Sequence, residues 1–300
     1  MNGVLVIDKP SGPTSFDVVR TVRALTRVKK VGHTGTLDPL ATGVLPICVG
    51  DATRIAGFIT EGDKAYDAVI RLGVTTDTLD AQGQVQQTRP VPPLGRELLE
   101  SALSRFRGTF EQLPPMYSAV KVGGKRLYEL ARAGEEVERK PRTVTVHALE
   151  LRDFSADEVR LSVRSSKGFF VRSLAHDLGE ALGCGAHLTA LRRTQSGPFT
   201  LAQAIPLEKL KASFEADRAR ALAELAPRLV GMNDALVELP AVQVPSTIAE
   251  RVCHGVPIEV SAAPAGRVRV LGPGDELLAV AEVGPTRRLK YLRVLAAGGD

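Results

Sequence analysis

The sequence is poor in cysteine and has no long apolar run. Its three cysteines, Cys48, Cys184 and Cys253, lie far apart and form no CxxC pair. An odd number of widely spaced cysteines argues against a disulfide framework, so we interpret them as reduced thiols of a cytoplasmic protein. No apolar stretch reaches the roughly 18 residues that a membrane-spanning helix needs, and the first residues lack the basic segment of a signal peptide. We therefore expect a cytoplasmic protein without a membrane partner.

The residue spacings of common metal and phosphate sites are also missing. The five histidines are scattered, with neither an HxxxH pair nor a His-x-Glu followed by CxxC, which are patterns of zinc sites. Asp77 and Asp80 precede Gly83, but their spacing is not that of a calcium-binding loop. The GGK turn at 123–125 lacks the upstream glycine of a phosphate-binding P-loop. We expect no metal site.

Neither sign of charge dominates the sequence, because it has 39 basic and 34 acidic residues and a net charge of only +5. Any one basic cluster is better explained by a solvated face, but five of them in a balanced chain modestly favour a polyanionic partner such as nucleic acid. The clusters are Arg20, Arg23, Arg27, Lys29 and Lys30; Lys121, Lys125 and Arg126; Arg139, Lys140 and Arg142; Arg192 and Arg193; and Arg287, Arg288, Lys290 and Arg293.

The spacing of apolar residues follows the strand period in some segments and the helix period in others, and the two kinds of segment do not alternate in a strict βαβ order. This pattern predicts an α+β fold with a central mixed or antiparallel sheet flanked by helices. Strand patterns cover 3–8, 45–49, 66–72, 143–154 and 159–165, and helix patterns cover 16–28, 97–106, 126–133, 169–182 and much of 207–236. From residue 239 onward, short strand patterns alternate with Pro and Gly turns. We therefore predict two domains, 1–237 and a small β domain at 238–300.

A lone carboxylate, Asp38, stands in the stretch GHTGTLDPLATGVLP at 32–46. An isolated Asp-Pro pair ordinarily begins a turn. Here nearby glycines permit a ligand to approach the backbone closely, and His33, Thr34 and Thr36 add hydrogen-bonding groups. The apolar strand pattern that follows gives the carboxylate a rigid base. Asp38 is therefore a candidate catalytic residue.

A second stretch, SSKGFFVRSLAHDLGEALGCGAHLTALRRT at 165–194, offers this carboxylate a partner. Arg172 lies beside two aromatics and is suited to pair with Asp38 and keep it ionised; the alternative is a surface charge at a helix start. Tyr66 is suited to stack on a base, and is equally explained as a strand aromatic.

These stretches resemble the pseudouridine synthases, and in detail the TruB family, which acts on the T loop of tRNA. The stretch GHTGTLDPLATGVLPICVGDATR resembles the family's catalytic motif, and GVLVIDKPSGPTS resembles its N-terminal motif. The stretch DKAYDAVIRLGVTTDTLDAQG resembles its tyrosine motif, and SKGFFVRSLAHDLGEALGCGAHLTALRRT resembles its arginine motif. Its RNA-clamping insertion resembles PPMYSAVKVGGKRLYELARAG at 114–134, and we assign the insertion to 116–141 here. The C-terminal segment more loosely resembles a β-barrel-like, RNA-binding PUA domain.

The resemblance implies a role for single residues. Asp38 would be the catalytic aspartate, Arg172 its ion-pair partner, and Tyr66 the aromatic that packs on the target base. His33 would hold the T loop open and Leu191 would line the pocket. Phe170 stands where the family usually has Tyr, which removes a phenol hydrogen bond and leaves only packing against the flipped nucleotide. Further RNA contacts are expected at Lys9, Lys64, Lys121 and Lys125.

The resemblance also implies a reaction, the isomerisation of uridine at position 55 of the tRNA T loop to pseudouridine. The N1–C1′ bond breaks, the base turns, and it rejoins the sugar through C5, so no atoms enter or leave and no cofactor is implied. Glycoside hydrolases use two carboxylates, whereas the 32–46 stretch has one. Asp38 would attack C1′ or remove the C2′ proton; both remain open. The target base must leave its stack.

The expected partner is the T stem-loop of tRNA, bound by a monomer without an obligate protein partner. Two alternatives remain open. One is a pseudouridine synthase of the same fold that depends on a guide RNA, and the other is an RNA-binding tRNA-folding chaperone whose catalysis is secondary. The recognisable 116–141 insertion favours the stand-alone enzyme over the first, and the presence of Asp38, Tyr66 and Arg172 favours activity over the second.

Overall fold

A computed structural model describes residues 1–118, 120–132, 137–260 and 263–295, with the backbone alone at Lys121, Val122, Lys125, Arg126 and Arg132. The strands are β1 Gly3–Lys9, β2 Val31–His33, β3 Thr42–Val49, β4 Lys64–Leu72, β5 Val74–Thr76, β6 Val85–Thr88, β7 Gly108–Gln112, β8 Lys121–Val122, β9 Lys125–Arg126, β10 Arg142–Phe154, β11 Glu158–Ser165, β12 Ala186–Ser196, β13 Phe199–Thr200, β14 Ile205–Pro206, β15 Ala241–Gln243, β16 Gly266–Leu271, β17 Leu277–Val283 and β18 Leu289–Val294. The helices are α1 Ser15–Thr26, α2 Ala56–Thr60, α3 Arg96–Ser104, α4 Leu127–Arg132, α5 Val171–Ala181, α6 Leu207–Ala216, α7 Arg218–Leu225 and α8 Ser246–Cys253. Short 3-10 turns cover Gly50–Arg54, Leu201–Gln203, Ala226–Arg228 and Asp234–Leu236.

One large mixed sheet organises the chain. Its main path runs β14-β1-β3-β12-β4-β11-β10-β7, with β2 paired to β3 and β13 paired to β12. The pairs β1–β14 and β3–β12 are parallel, and the other neighbours on the path are antiparallel. Buried residues of α1, α5 and α6 join the apolar cluster that packs on this sheet. The predicted α+β class with a central mixed sheet is therefore confirmed.

Helix α1 shows how local sequence sets an element boundary near the site. Thr14 is its N-cap and forms a capping box with Asp17, in which each side chain accepts from the other residue's backbone N–H. Such a box satisfies two amide donors that the first helical turn leaves unpaired. The helix ends where Arg27 turns into the left-handed region at φ 60°. The cap therefore fixes the start of α1, which supports the loop that carries Asp38.

Three elements, β12, α8 and β7, differ from the sequence predictions. The pattern analysis assigned no strand to 186–196, yet β12 lies between β3 and β4 in the middle of the sheet. Its inward side carries Arg193, a charge that breaks the apolar alternation by which strands are recognised. The segment after residue 239 was expected to hold strands alone, but α8 lies within it. The strand β7 was also missed, since Gly108 and Thr109 are exposed and polar.

A smaller sheet of order β15-β16-β17-β18 follows the large one in sequence. Its residues Leu271, Leu277 and Val280 share an apolar cluster with Val4 and Val44 of the large sheet. The face of β1 and β3 turned away from α1 is thus covered by the C-terminal part of the chain. The division at residue 237 remains a prediction.

Hydrogen bonds add to this contact. Arg54 Nη2 donates to the Val294 carbonyl at 2.6 Å, and Arg269 Nη1 donates to the Asn233 carbonyl at 3.2 Å. Among the described residues, no helix is both long and apolar enough to cross a membrane.

Candidate active site

The loop between β2 and β3 carries Asp38 and is braced by the start of α1. The Ser15 hydroxyl donates to the Leu37 carbonyl at 3.0 Å and accepts from the Leu37 N–H at 2.8 Å. The Gly12 N–H donates to the Pro39 carbonyl at 2.9 Å, and the Ala41 N–H donates to the Asp38 carbonyl at 3.0 Å. These bonds hold the backbone on both sides of the carboxylate.

A buried arginine, Arg193, braces the same loop from β12. Its side chain is almost fully buried, and its nitrogens donate to the carbonyls of Val44, Thr36 and Gly35 at 2.7, 3.4 and 3.2 Å. The neighbouring Arg192 is paired with Asp8 at 2.7 Å. The Arg192–Arg193 cluster was therefore wrongly grouped with the exposed basic patches. Arg193 instead shapes the catalytic loop.

Asp38 contacts Arg172 from the start of α5. The Arg172 Nε and the Asp38 Oδ2 are 2.9 Å apart, and the Arg172 side chain is only 5% exposed, against 35% for Asp38. Arg172 Nη1 donates to the Thr78 carbonyl at 3.0 Å, and Nη2 donates to the Tyr117 carbonyl at 2.8 Å. All three guanidinium nitrogens are engaged, so the arginine is held in one orientation and presents Nε to the carboxylate.

Asp80 is a second carboxylate at this arginine, and the sequence pattern did not reveal it. Its Oδ2 lies 3.8 Å from Arg172 Nε, while its Oδ1 accepts from the Thr78 hydroxyl and the Gln82 N–H at 2.7 and 3.0 Å. In the sequence, Asp80 is recognisable only as an aspartate in a turn. Its proximity to Arg172 of α5 arises from the fold. Asp80 is buried and holds Arg172 on the side away from the pocket.

Burial raises the pKa of the Asp38 carboxyl above its usual range. The Arg172 guanidinium opposes this by attraction, and the Asp80 carboxylate adds to it by repulsion. Desolvation disfavours the charged form of an acid, whereas a nearby cation favours it. Arg172 is thus the main group that keeps Asp38 ionised in this environment.

A pocket of about 290 Å³ opens beside Asp38. It brings together five residues that the sequence singled out: Asp38, Tyr66, Phe170, Arg172 and Leu191. Thr36, Leu37, Ser118, Val120, Arg142, Phe169 and Val171 complete its lining. The volume lies at the small end of the range for ligand sites, which suits one nucleoside. Asp38 is the single carboxylate among these lining residues.

The aromatic pair at the start of α5 is fixed from β7. The Phe170 N–H donates to Gln112 Oε1 at 2.8 Å, and the Phe170 carbonyl accepts from Gln112 Nε2 at 3.0 Å. The Phe169 ring packs edge-on against Phe110, with centroids 6.5 Å apart. Phe170, where a hydroxyl was expected from the family pattern, offers the pocket only an apolar ring.

His33 is outside the set of pocket-lining residues. It is half-buried at the end of β2, and its Nδ1 accepts from the Gly35 N–H at 3.3 Å. Burial and the charge of Arg193 lower its pKa. Its expected contact with the T loop remains a prediction.

Lys9 and Lys64 are buried, which corrects their expected place at an RNA surface. Lys9 is fully buried and its ammonium donates to the carbonyls of Pro10 and Pro39 at 2.8 and 3.4 Å. The Lys64 ammonium donates to the carbonyls of Thr60 and Gly62. Burial lowers the pKa of each lysine to about 8. Both cations stabilise the backbone inside the protein, Lys9 next to the catalytic loop.

The described part of the basic insertion begins with a short hairpin. The backbone of Lys121 pairs with that of Arg126, and Val122 with Lys125, after which α4 begins. The side chains of Lys121 and Lys125 lie outside the described residues, so their expected RNA contacts remain predictions. In the described part of the chain, no group of three or more His, Cys, Asp or Glu residues is arranged to hold a metal ion.

Sequence comparisons link most of the chain to one family. Residues 23–171 match the model of the TruB family pseudouridylate synthase N-terminal domain, and residues 172–237 match that of the tRNA pseudouridylate synthase B C-terminal domain. A protein of Stutzerimonas stutzeri named tRNA pseudouridine synthase B is 45% identical over 98% of this chain and 96% of its own length. A protein of the same name from Dechloromonas aromatica is 47% identical over 95% of this chain and 92% of its own.

Solved structures show the same fold. Cbf5 in a crystal structure of a Cbf5–Nop10–Gar1 complex superposes with a TM-score of 0.77 at 27% identity, over 97% of this chain and 84% of that one. A chain of an H/ACA RNP bound to a substrate RNA gives a TM-score of 0.76 at 26% identity, with the same coverage.

Proposed function

Since the chain belongs to the TruB family of pseudouridylate synthases, we propose that it converts the uridine at position 55 in the T loop of tRNA to pseudouridine. Its curated relatives at about 45% identity carry the name tRNA pseudouridine synthase B. The observation that carries the proposal is the pocket, which holds one carboxylate beside a fully engaged arginine, with 2.9 Å between Asp38 and Arg172.

Asp38 is the catalytic residue of this proposal. It acts at the ribose, on C1′ or on the C2′ proton, while the N1–C1′ bond breaks. The base then turns, C5 bonds to C1′, C5 loses its proton and N1 gains one. Because the product is an isomer of the substrate, the site has no leaving group to expel and no water to activate. A single carboxylate in a partly dry pocket meets that requirement, and no cofactor takes part.

The neighbouring residues position the nucleoside. Arg172 keeps Asp38 ionised, and Tyr66 packs on the uracil from β4. Leu191 and Phe170 line the remaining apolar wall, so the base turns against surfaces that form no directional bonds. Stacking of a base on an aromatic side chain contributes about 1–3 kcal/mol, which offsets part of the cost of taking the uridine out of its stack.

The whole molecule binds tRNA as a monomer in the cytoplasm, with residues 238–300 acting as a PUA-like RNA-binding domain. The solved relatives in H/ACA complexes are only 26–27% identical, whereas the proteins named tRNA pseudouridine synthase B reach 45–47%. This difference favours the stand-alone enzyme over a guide-dependent one. The name of these relatives favours catalysis over the alternative of an RNA-binding tRNA-folding chaperone whose catalysis is secondary.

The test is to map pseudouridine in an unmodified tRNA after incubation with the native protein alone, without guide RNA or cofactor. The proposal predicts modification at the T-loop uridine and none in a matched tRNA with cytidine at that position. Modification at another uridine would overturn the assignment of position 55. No modification at all, with tRNA bound, would favour the guide-dependent or chaperone alternatives.

A further inference from the structure

The insertion at 116–141 meets the active-site pocket at both of its ends. Ser118 and Val120 precede the β8–β9 hairpin, and Arg142 begins β10 directly after the insertion; all three line the pocket. The core of the fold supplies the opposite wall through Asp38 and Tyr66. The two ends of the insertion therefore face the same space as the reacting groups.

Ser118 brings an unused hydroxyl to this space. The residue is only 4% exposed, and its Oγ has no hydrogen-bond partner among the described residues. Its backbone is held firmly, because its N–H donates to the Met116 carbonyl at 2.9 Å and its carbonyl accepts from the Tyr128 N–H at 3.0 Å. A buried hydroxyl without a protein partner leaves its hydrogen-bonding capacity open, and in a pocket a ligand atom can use that capacity.

The residue before it is tied to the catalytic pair. The Tyr117 carbonyl accepts from Arg172 Nη2 at 2.8 Å. The same arginine contacts Asp38 through Nε. The position of Ser118 relative to Asp38 is therefore set through one guanidinium.

Arg142 brings an unpaired cation to the rim. It is exposed, and its side chain forms no hydrogen bond or ion pair with any described residue. Two other exposed arginines of the large sheet have acidic partners: Arg152 pairs with Glu150 at 2.9 Å, and Arg160 with Glu158 at 2.7 Å. A guanidinium that no carboxylate neutralises is suited to bind a phosphate through two parallel hydrogen bonds.

We propose that the two ends of the insertion hold the flipped nucleotide: Ser118 hydrogen-bonds the uracil, and Arg142 binds the phosphate of the same nucleotide. This inference rests on the proposed function. A nucleoside that places C1′ at Asp38 puts its base inside the pocket and leaves its phosphate at the rim, where Arg142 lies. The insertion is then a part of the substrate site and not only a clamp on the surrounding RNA.

A hydroxyl suits a base that turns. Ser Oγ donates one hydrogen bond and accepts others, and its proton rotates to match its partner. Once the N1–C1′ bond breaks, N1 is a hydrogen-bond acceptor, and in the product the N1–H is a donor. Ser118 can follow that change, whereas a backbone amide or a lysine could not.

The role of Arg142 is tested by the salt dependence of binding to a T stem-loop RNA. Loss of one phosphate contact lowers the slope of log affinity against log salt by about 0.7 for a single-stranded region. We expect this decrease in Arg142→Ala and the native slope in Arg142→Lys, which keeps the charge. Arg152→Ala is the matched control, since it removes an exposed arginine of the same strand about 33 Å away. A native slope in Arg142→Ala would overturn this role.

The role of Ser118 is tested by single-turnover pseudouridine formation at saturating stem-loop. We expect Ser118→Ala to be about tenfold slower, which corresponds to about 1.4 kcal/mol, with a melting temperature equal to or above that of the native protein. A structural role would lower the melting temperature instead. Ser196→Ala is the matched control, because Ser196 is equally buried with an unpaired hydroxyl but lies outside the pocket lining.

A native rate in Ser118→Ala would overturn the contact with the base. Failure of this inference can be distinguished from failure of the proposed function, because the native protein is measured in the same assay. If the native protein forms no pseudouridine, the proposed function fails. If it is active and both insertion variants match their controls, the inference about the insertion fails alone.

Discussion

At the scale of single residues, the site depends on an arginine that has no freedom to move. Arg172 contacts Asp38 through Nε, and its other two nitrogens donate to the backbone carbonyls of Thr78 and Tyr117. Burial raises the pKa of Asp38, and Arg172 opposes that shift. The arginine therefore serves to keep a carboxylate charged where water is scarce.

The pH dependence of catalysis tests this role. The active form of Asp38 is the carboxylate, so the rate rises as the pH passes the raised pKa of Asp38. Removing the cation raises that pKa further, and the acid limb moves to higher pH. We expect Arg172→Met to show this displacement and Arg172→Lys to show a smaller one, in single-turnover rates from about pH 4 to about pH 8. An unmoved acid limb in Arg172→Met would count against the role.

Single residues also show how far the sequence alone predicts the site. Asp38 and Arg172 are recognisable from the sequence, because a glycine-rich loop and an arginine beside aromatics are local features. Asp80 and Arg193 are not, since their importance comes from contacts with distant segments. Lys9 shows the opposite error: a lysine is expected at the surface, but backbone carbonyls accept the hydrogen bonds that its ammonium donates here.

At the scale of elements, α1 supports the catalytic loop through its first turn. The Thr14 cap orders that turn, and Ser15, the next residue, forms both hydrogen bonds to Leu37. The capping pattern is visible in the sequence, and Thr14 is the cap. The bond between Ser15 and Leu37 is not visible there, because it joins separate segments.

Loss of the cap is expected to weaken both helix and loop. Thr14→Ala removes the side chain that accepts from the Asp17 N–H, and such substitutions cost about 1 kcal/mol of stability. The control is Thr21→Ala in the middle of α1, where alanine is a better helix former. Urea unfolding measures both variants. A loss in Thr14→Ala no greater than in Thr21→Ala would show that the cap is dispensable.

The strand β12 explains why the topology was harder to predict than the class. It joins the β1–β3 part of the sheet, through a parallel pair with β3, to the β4–β11–β10 part, through an antiparallel pair with β4. Its pattern is broken by Arg192 and Arg193, which the fold uses to pair with Asp8 and to brace the catalytic loop. The two arginines needed for these contacts therefore interrupt the apolar alternation by which this central strand would be recognised in the sequence.

At the scale of the whole molecule, the small sheet is packed on the large one. Leu271, Leu277 and Val280 share a cluster with residues of β1 and β3. Deleting everything after residue 238 would therefore expose apolar surface of the catalytic part, and the deletion would confuse instability with lost RNA binding. Substitutions on the outer surface of β18 are a cleaner probe.

Lys290 and Arg293 provide that probe, because both are exposed on β18. If residues 238–300 contact tRNA beyond the T arm, Lys290→Ala with Arg293→Ala weakens binding of whole tRNA and lowers its salt slope by about 1 to 2, the expectation for two phosphate contacts. Binding of the isolated T stem-loop stays unchanged. Equal binding of whole tRNA by the native and double-variant proteins would contradict an RNA-binding function for this sheet.

The account depends most directly on Asp38. The decisive measurement is pseudouridine formation at the T-loop uridine of an unmodified tRNA by the native protein and by Asp38→Asn, with tRNA affinity measured in parallel. The account predicts product from the native protein, none from Asp38→Asn, and similar affinity in both, because asparagine keeps the shape of the side chain without its charge. Product formed by Asp38→Asn at a rate near that of the native protein would contradict it.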